Sequence, residues 1–194
     1  MNTTDVSEAL IRAATVLFAK QGYDATSVND IVEAAQVTKG ALYYYFAAKE
    51  DVLFAIHHRF IGAEMEQAEE ILANTHDPKT RLVQLIVSLV ESIAEYHDEV
   101  TVFFREMHRL PSAQFDAVRL IRDRYQGIYE DTIRWGQTLG AFRQDVSARL
   151  LTLSLFGQCN WTYTWMRGDG ELNPSTIGDI FARIFLQGVL QYDG

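Results

Sequence analysis

Side chains that donate hydrogen bonds to anionic oxygens gather near the N-terminus of this 194-residue chain. Hydroxyl and ammonium groups stand close together, with one glycine among them, at Thr26, Ser27, Thr38, Lys39, Gly40, Tyr43, Tyr44 and Lys49. Groups of this kind bind phosphate oxygens and base edges when a rigid element holds them in one direction. The chemistry indicated is recognition of a phosphate polymer, provided that neighbouring elements position these donors.

The donors fall on two short predicted helices that follow a longer one. Apolar residues recur at helical spacing from about residue 6 to residue 21, and Gly22 ends that helix. Ser27 and Thr38 are suited to cap the two short helices. Because only residues 36–37 separate these helices, they form a predicted helix-turn-helix.

This arrangement resembles the N-terminal signature of the TetR family of bacterial regulators. The matching residues cover about the first quarter of the chain, and their joint spacing is specific: Leu17, Phe18, Gly22, Tyr23, Thr26, Ser27, Ile31, Ala34, Val37, Lys39, Gly40, Ala41, Leu42, Tyr43, Tyr44, Phe46, Lys49 and Glu50. The resemblance implies a three-helix DNA-binding domain at residues 1–48. It also implies a helical-bundle domain at residues 49–194 that binds a ligand and dimerises.

Each donor then has an expected role on double-stranded operator DNA. Thr38 and Lys39 are the expected base readers, and Gly40 lets the helix backbone approach the DNA. Tyr43 and Tyr44 are expected to place hydroxyls on phosphates. The residues that resemble the backbone anchors of the family are Thr26, Ser27 and Lys49, whereas those expected in the small core are Leu42 and Phe46.

Two positions depart from the family pattern. Gln36 stands where glycine is usual, which costs roughly 1–2 kcal/mol if the turn requires a left-handed backbone. The pair Ala47-Ala48 replaces the polar cap that commonly precedes Lys49 and Glu50, which costs the following helix roughly 1 kcal/mol. Neither departure removes a predicted DNA contact.

Net charge restricts how DNA can be bound. The chain carries a formal charge of -9, divided into -2 for residues 1–48 and -7 for the rest. Since no basic domain exists, binding must depend on a few local cations, helix N-termini and neutral donors. Two copies at one operator would compensate for the weak field.

Composition predicts an all-α protein that is cytoplasmic and does not enter the membrane. The chain has 48% hydrophobic residues, three prolines and one cysteine, with neither a signal peptide nor an apolar run of the roughly 20 residues that span a bilayer. A helix is expected from Lys49 towards Leu72, long enough to connect two domains. Later helices are expected at about 79–96, 98–109, 112–138, 146–166 and 174–192.

The last two predicted helices are apolar on more than one side. The apolar residues that produce this pattern are Leu150, Leu151, Leu153, Leu155, Phe156, Ile180, Phe181, Ile184, Phe185, Leu186 and Val189. A helix with two apolar faces needs a second partner. The resemblance implies a homodimer through these helices, and the alternative is a deep core within one monomer.

An effector site is expected among the aromatic and arginine residues of the central helices. The expected lining residues are Phe103, Arg109, Arg122, Tyr125, Trp161 and Trp165. Arginine suits an anionic head group, and the segment from Asn160 to Gly168 resembles regulators that respond to acyl-CoA thioesters. An acyl-CoA-like effector that releases the DNA is therefore predicted. The alternative is a hydrophobic cation or drug bound by aromatics and by Glu91, Glu95 or Glu106.

No pattern of residues indicates catalysis, a cofactor or a metal. The five histidines lack metal-ligand spacing, and Cys159 lies in an apolar helix without a neighbouring histidine. The chain is accordingly predicted not to be an enzyme. The competing hypothesis is a helical enzyme or interaction protein that retains the helix-turn-helix as a scaffold.

Overall fold

The structure is a computed structural model that describes residues 3–166, 170 and 172–190. Its α-helices are α1 (Thr3–Gln21), α2 (Val28–Ala34), α3 (Lys39–Tyr45), α4 (Lys49–Asn74), α5 (Pro78–Glu95), α6 (His97–Glu106), α7 (Ser112–Thr138), α8 (Ala148–Asn160) and α9 (Pro174–Val189). Short 3-10 helices follow α6 (Met107–Arg109) and α8 (Trp161–Thr164). Within the described ranges the only β-type pairing is an isolated bridge between Phe142 and Leu190. The predicted all-α class is confirmed.

Side-chain caps explain where several helices begin. Ser27 accepts a hydrogen bond from the backbone of Asp30, whose side chain accepts one from Ser27 in return, so that α2 begins with a complete capping box. Thr38 caps α3 through the backbone N–H of Ala41. Both predicted caps are confirmed. The same role falls at α5, α8 and α9 to Asp77, Ser147 and Asn173.

The chain forms two compact units. The first unit comprises Met1–Gly62 and Asp98–Leu120, and the second comprises Ala63–His97 and Ile121–Gly194. The first unit packs α1, α2 and α3 together around buried side chains that include Leu10, Phe18, Ile31, Leu42 and Phe46. The predicted core positions Leu42 and Phe46 are confirmed, since both are buried.

The second unit is built on the packing of α5 against α9. The two helices approach so closely at Gly178 that a Cβ atom there would lie 2.9 Å from the Cα of Val87. Helix α8 also packs on both of them. Among the described helices, none is long and apolar enough to cross a membrane.

One helix is shorter than the sequence predicts. Instead of a single helix over 146–166, α8 ends at Asn160 and a 3-10 helix follows. The Thr162 and Thr164 hydroxyls each donate to a carbonyl three residues earlier, at 2.7 Å, which competes with the α-helical pattern. The expected end of the last helix at residue 192 lies outside the described residues, as do Arg167 and Gly168.

Candidate nucleic-acid interface and buried polar sites

The outer surface of α3 presents four of the eight predicted DNA contacts to solvent. Lys39 and Gly40 are exposed, and Tyr43 and Tyr44 are 49% and 77% exposed. The Lys39 ammonium lies 6.0 Å from the centre of the Tyr43 ring, one turn further along the helix. Tyr45 is less exposed and its ring contacts Phe46. This short helix thus combines a cation, two phenols and an open backbone position.

The two capping hydroxyls are also available at this surface. Ser27 and Thr38 are exposed, and each hydroxyl oxygen accepts a backbone hydrogen bond inside its own helix. A hydroxyl that accepts one hydrogen bond keeps its proton to donate to another oxygen. Both residues can therefore cap a helix and contact a phosphate at the same time.

Lys49 is engaged inside the protein. Its Nζ donates hydrogen bonds to the backbone oxygens of Tyr23 (2.8 Å) and Thr26 (2.7 Å), and lies 4.0 Å from the centre of the Tyr23 ring. Two charge-assisted hydrogen bonds and a cation–π contact hold the loop before α2 to the start of α4. In this structure Lys49 stabilises the loop before α2.

Thr26 is likewise a structural residue here. Only 1% of it is exposed, its hydroxyl donates to the backbone oxygen of Gly22 at 2.8 Å, and it accepts a hydrogen bond from Gln21 at 3.1 Å. A side chain so enclosed has no surface to offer to DNA. Of the eight predicted contacts, Thr26 and Lys49 thus point inward and the other six lie on the surface.

The segment after α6 holds the same loop from another side. The Glu106 carboxylate accepts a hydrogen bond from the backbone N–H of Tyr23 at 3.3 Å, and Arg109 forms an ion pair with Asp24. Gly22, at the beginning of the loop, has a left-handed backbone with φ of +89°. The loop before the helix-turn-helix is therefore fixed by α4 and by residues 106–109 together.

The turn inside the helix-turn-helix has the strained backbone that its sequence suggested. Gln36 has φ of 55°, in the left-handed region that favours glycine. At the start of α4, the Asp51 carboxylate accepts a hydrogen bond from the backbone N–H of Ala48 at 3.0 Å. This contact supplies one half of a capping box, although Ala48 has no side-chain oxygen for the other half.

A buried polar network lies in the second unit. Ser92 donates a hydrogen bond to Glu64, and the Tyr125 hydroxyl lies 3.1 Å from the other Glu64 oxygen. The Tyr125 and Tyr129 hydroxyls are 2.8 Å apart, and Tyr129 donates to the backbone oxygen of Leu85 at 3.0 Å. The Glu64 side chain is thus bound on both oxygens in a site with no neighbouring cation among its hydrogen-bond partners.

Two phenol protons serve three contacts of this network. The backbone oxygen of Leu85 can only accept, so Tyr129 gives its proton there. Tyr125 then has one proton for its contacts with Glu64 and Tyr129. Burial raises the pKa of Glu64, against the opposing effect of its hydrogen bonds from Ser92 and Tyr125.

The predicted effector-site residues differ in their surroundings. Phe103 lies in the first unit and is buried, whereas Tyr125 lies in the second and stacks on Phe156 at 6.1 Å. Trp161 and Trp165, also in the second unit, are 64% and 49% exposed.

Most of the central arginines make ion pairs at the surface. Arg122 pairs with Asp123 at 2.9 Å, and Arg109 pairs with Asp24. The other arginines with acidic partners are Arg119, Arg124, Arg134 and Arg143. An anionic effector would have to compete with these carboxylates.

Two buried polar residues were missed by the sequence analysis as site candidates. Glu64 and His57 are 4% and 0% exposed. Both lie on α4 seven residues apart, which places them on the same face as the buried Leu53. Polar residues at core positions of an amphipathic helix are the signal that could have identified them. Among the described residues, no group of three or more histidine, cysteine or acidic side chains is arranged to hold a metal ion.

Comparisons with known proteins agree with the helix-turn-helix and extend to the rest of the chain. Family models match at residues 10–56 (Bacterial regulatory proteins, tetR family) and 75–189 (Tetracyclin repressor-like, C-terminal domain). The HTH-type transcriptional repressor KstR2 of Mycolicibacterium smegmatis is 27% identical over 188 residues, covering 96% of this chain and 92% of the relative.

Solved structures share the whole fold. The ketosteroid transcriptional regulator KstR2 of Mycobacterium tuberculosis superposes with a TM-score of 0.88 at 26% identity, covering 96% of this chain and 95% of that one. AibR, solved in complex with isovaleryl coenzyme A and operator DNA, has a TM-score of 0.84 at 24% identity, covering 92% and 97%. The likeness to AibR shows a common fold.

Proposed function

The chain belongs to the TetR family of bacterial transcriptional regulators, and we propose that it represses transcription as a homodimer on a palindromic operator, which an effector releases. The observation that carries the proposal is the exposed face of α3, where Lys39, Tyr43 and Tyr44 stand together on a capped helix. A dimer would present two such helices to successive major grooves. The enzyme and scaffold hypothesis has no comparable support.

The proposed DNA contacts are the six surface residues of the predicted set. They are Ser27, Thr38, Lys39, Gly40, Tyr43 and Tyr44. Lys49 and Thr26 would act indirectly, by fixing the loop that precedes α2 and α3. This division supports a small set of contacts, as the negative net charge of the chain requires.

Exposed apolar side chains support dimerisation through α8 and α9. Leu150, Leu153 and Ile184 are 59%, 46% and 54% exposed in the single chain. Residues 150, 153, 157 and 161 follow helical spacing along one line, and Gly157 leaves that line open to close approach. An isologous interface between two copies would cover these faces.

Dimerisation is tested by one charge on this face. Leu153→Glu should give a monomer in analytical ultracentrifugation and weaken operator binding, because each operator needs two reading helices. Leu120→Glu is the matched control, since Leu120 is a 65% exposed leucine on α7. A dimeric Leu153→Glu variant would refute this interface.

The proposed effector is an acyl-CoA thioester or a similar apolar anion. Support comes from the relative KstR2, a ketosteroid regulator, and from AibR, whose fold holds isovaleryl coenzyme A. Candidate contacts in the first unit are Phe103 and Arg109. Those in the second unit are Arg122, Tyr125, Trp161 and Trp165.

A second candidate effector is a hydrophobic cation. The buried carboxyl of Glu64, together with the rings of Tyr125, Tyr129 and Phe156, is the observation that favours it. Binding a cation there would require an ionised Glu64 carboxylate, and burial raises the pKa of this group. Release of operator by a cation should therefore become stronger as the pH rises, whereas release by a thioester should not depend on Glu64.

Both candidates are tested by one titration. Fluorescence anisotropy of a labelled operator, at fixed salt concentration, would follow release by a panel of CoA thioesters and a panel of aromatic cations. Release by thioesters alone is the expected result. Mechanistically, the effector would favour a conformation in which α4 moves the reading helices out of register with the DNA. Release by neither panel would refute both effector classes.

A further inference from the structure

His57 is a buried side chain without a hydrogen-bonding partner. It is 0% exposed, and neither Nδ1 nor Nε2 makes a hydrogen bond within the part of the chain that the structure describes. A neutral imidazole has one donor and one acceptor nitrogen. Burying both without partners is unfavourable, because each nitrogen loses its hydrogen bonds to water. An apolar residue at this position would make the folded protein more stable, unless a ligand forms hydrogen bonds with the imidazole.

An aromatic series leads from His57 towards the surface of the first unit. The Phe103 ring lies edge-on to the imidazole with the ring centres 5.4 Å apart, and it also contacts Phe60 at 5.5 Å and Phe104 at 5.6 Å. Phe104 is 42% exposed. These rings offer an apolar surface to a carbon skeleton, with one polar group at its inner end.

Resting on the proposed function, we propose that His57 is a hydrogen-bonding contact for the effector. The imidazole takes a neutral oxygen, a carbonyl or a hydroxyl, of a molecule whose carbon skeleton packs against Phe103. In a CoA thioester, the carbonyl of the thioester or an oxygen of the acyl group has this chemistry. The guanidinium of Arg109, in the same unit as His57, suits the anionic part instead.

The neutral character of the ligand group follows from the surroundings of the ring. Burial lowers the pKa of His57 to about 4, so the imidazole carries no charge near neutral pH. A carboxylate placed against it would lose its hydration without gaining a cation. The hydroxyl of Thr101, on α6, is a second buried polar atom of this unit that lacks a hydrogen bond within the described residues.

The test combines a small-molecule probe with a functional titration. In the full-length protein labelled with [15N]histidine, the His57 ring signals are assigned by their loss in His57→Leu. Cyclohexanone should shift these signals saturably, whereas methylcyclohexane and cyclohexanecarboxylate should not. The other four histidines serve as internal references. The second measurement is operator release by CoA thioesters, scored against the effector-free complex of each variant.

The functional arm compares two neighbouring histidines of α4. His57→Leu should require at least about tenfold more thioester for half release, the effect of one lost buried hydrogen bond. His58→Leu, which alters an exposed ring on the same helix, should require the same concentration as the wild type.

Each outcome decides the proposal. No saturable shift of His57 with cyclohexanone would overturn it, as would equal thioester concentrations for wild type and His57→Leu. The latter result would leave the thioester-responsive repressor intact. A saturable shift without operator release by any thioester would support the His57 site and refute the proposed effector class.

Discussion

Lys49 and Tyr23 connect the start of α4 to the loop before α2. The lysine ammonium lies 4.0 Å from the centre of the tyrosine ring and donates a 2.8 Å hydrogen bond to the tyrosine backbone oxygen. The same ammonium binds the backbone oxygen of Thr26. A second lysine, Lys39, lies at the start of α3 and is exposed. Variants of the two lysines therefore test stabilisation of the loop before α2 separately from contact with DNA.

Removing each charge should affect a different property. Lys49→Met should lower the free energy of unfolding by about 2 kcal/mol, because two backbone oxygens lose a charged donor. Lys39→Met should change that free energy by less than about 0.5 kcal/mol but weaken operator binding about tenfold. Urea unfolding and operator titrations of both variants measure the two effects. Equal losses of stability would contradict this division of roles.

Relieving the left-handed turn should stabilise the protein. Gln36→Gly is expected to raise the free energy of unfolding by about 1 kcal/mol, since φ of 55° strains any residue with a Cβ. Glu33→Gly, three residues earlier in α2, should lower it by about 1 kcal/mol because glycine is unfavourable within a helix. Thermal unfolding compares them. A destabilised Gln36→Gly variant would show that the turn is not strained.

The raised pKa of Glu64 predicts a pH-dependent effect of Glu64→Gln. Since folding raises the pKa of this carboxyl, the folded state binds its proton more tightly, and stability falls as the pH rises above the ordinary value near 4.5. Glutamine cannot ionise, and its amide can still form hydrogen bonds with Ser92 and Tyr125. The free energy of unfolding of the variant should exceed that of the wild type by an amount that grows with pH. A difference independent of pH would contradict a raised pKa of Glu64 in the folded protein.

His57 predicts the opposite slope. Because folding lowers its pKa from 6.5 to about 4, the unfolded chain binds the proton more tightly, and stability falls as the pH decreases between these values. The loss attributable to this residue is at most about 1.4 kcal/mol per pH unit. Urea unfolding of His57→Leu should lack this contribution. An identical acid dependence in the variant and the wild type would show that His57 is accessible to protons in the folded protein.

Close packing at Gly178 predicts a large cost for one added methyl group. Gly178→Ala should lower the free energy of unfolding by about 1–3 kcal/mol, because the new Cβ would meet the backbone of Val87. Gly127→Ala on α7 is the control, since no atom lies within 4 Å of the added methyl group. It should raise stability by roughly 0.5–1 kcal/mol. Similar stability for both variants would mean that α5 and α9 separate without cost.

Local sequence predicted the parts of the fold that depend on neighbouring residues. Ser27 and Thr38 marked two helix starts because a capping hydroxyl acts over three residues. The glycine position in the family pattern marked Gln36 as strained. The roles of Lys49 and Glu106 were not predictable in this way, since their partner Tyr23 lies 26 and 83 residues away. Their contacts depend on tertiary packing.

The buried polar sites also depend on tertiary packing that local sequence does not specify. Helical periodicity places His57 and Glu64 on one face of α4, but it does not say which side chains meet them. Tyr125 lies 61 residues from Glu64, and the network forms only when α4, α5 and α7 pack together. The packing of residues 98–120 with the helix-turn-helix unit was also absent from the sequence analysis, because no local pattern specifies a return of the chain.

Action on operator DNA is tested most directly by an unbiased selection of DNA fragments bound by the protein at low salt concentration, repeated with Lys39→Met. The wild type should enrich one palindromic sequence, the variant should enrich it much more weakly, and addition of a CoA thioester should release the complex. Failure of the wild type to enrich any sequence would contradict its action as a DNA-binding repressor.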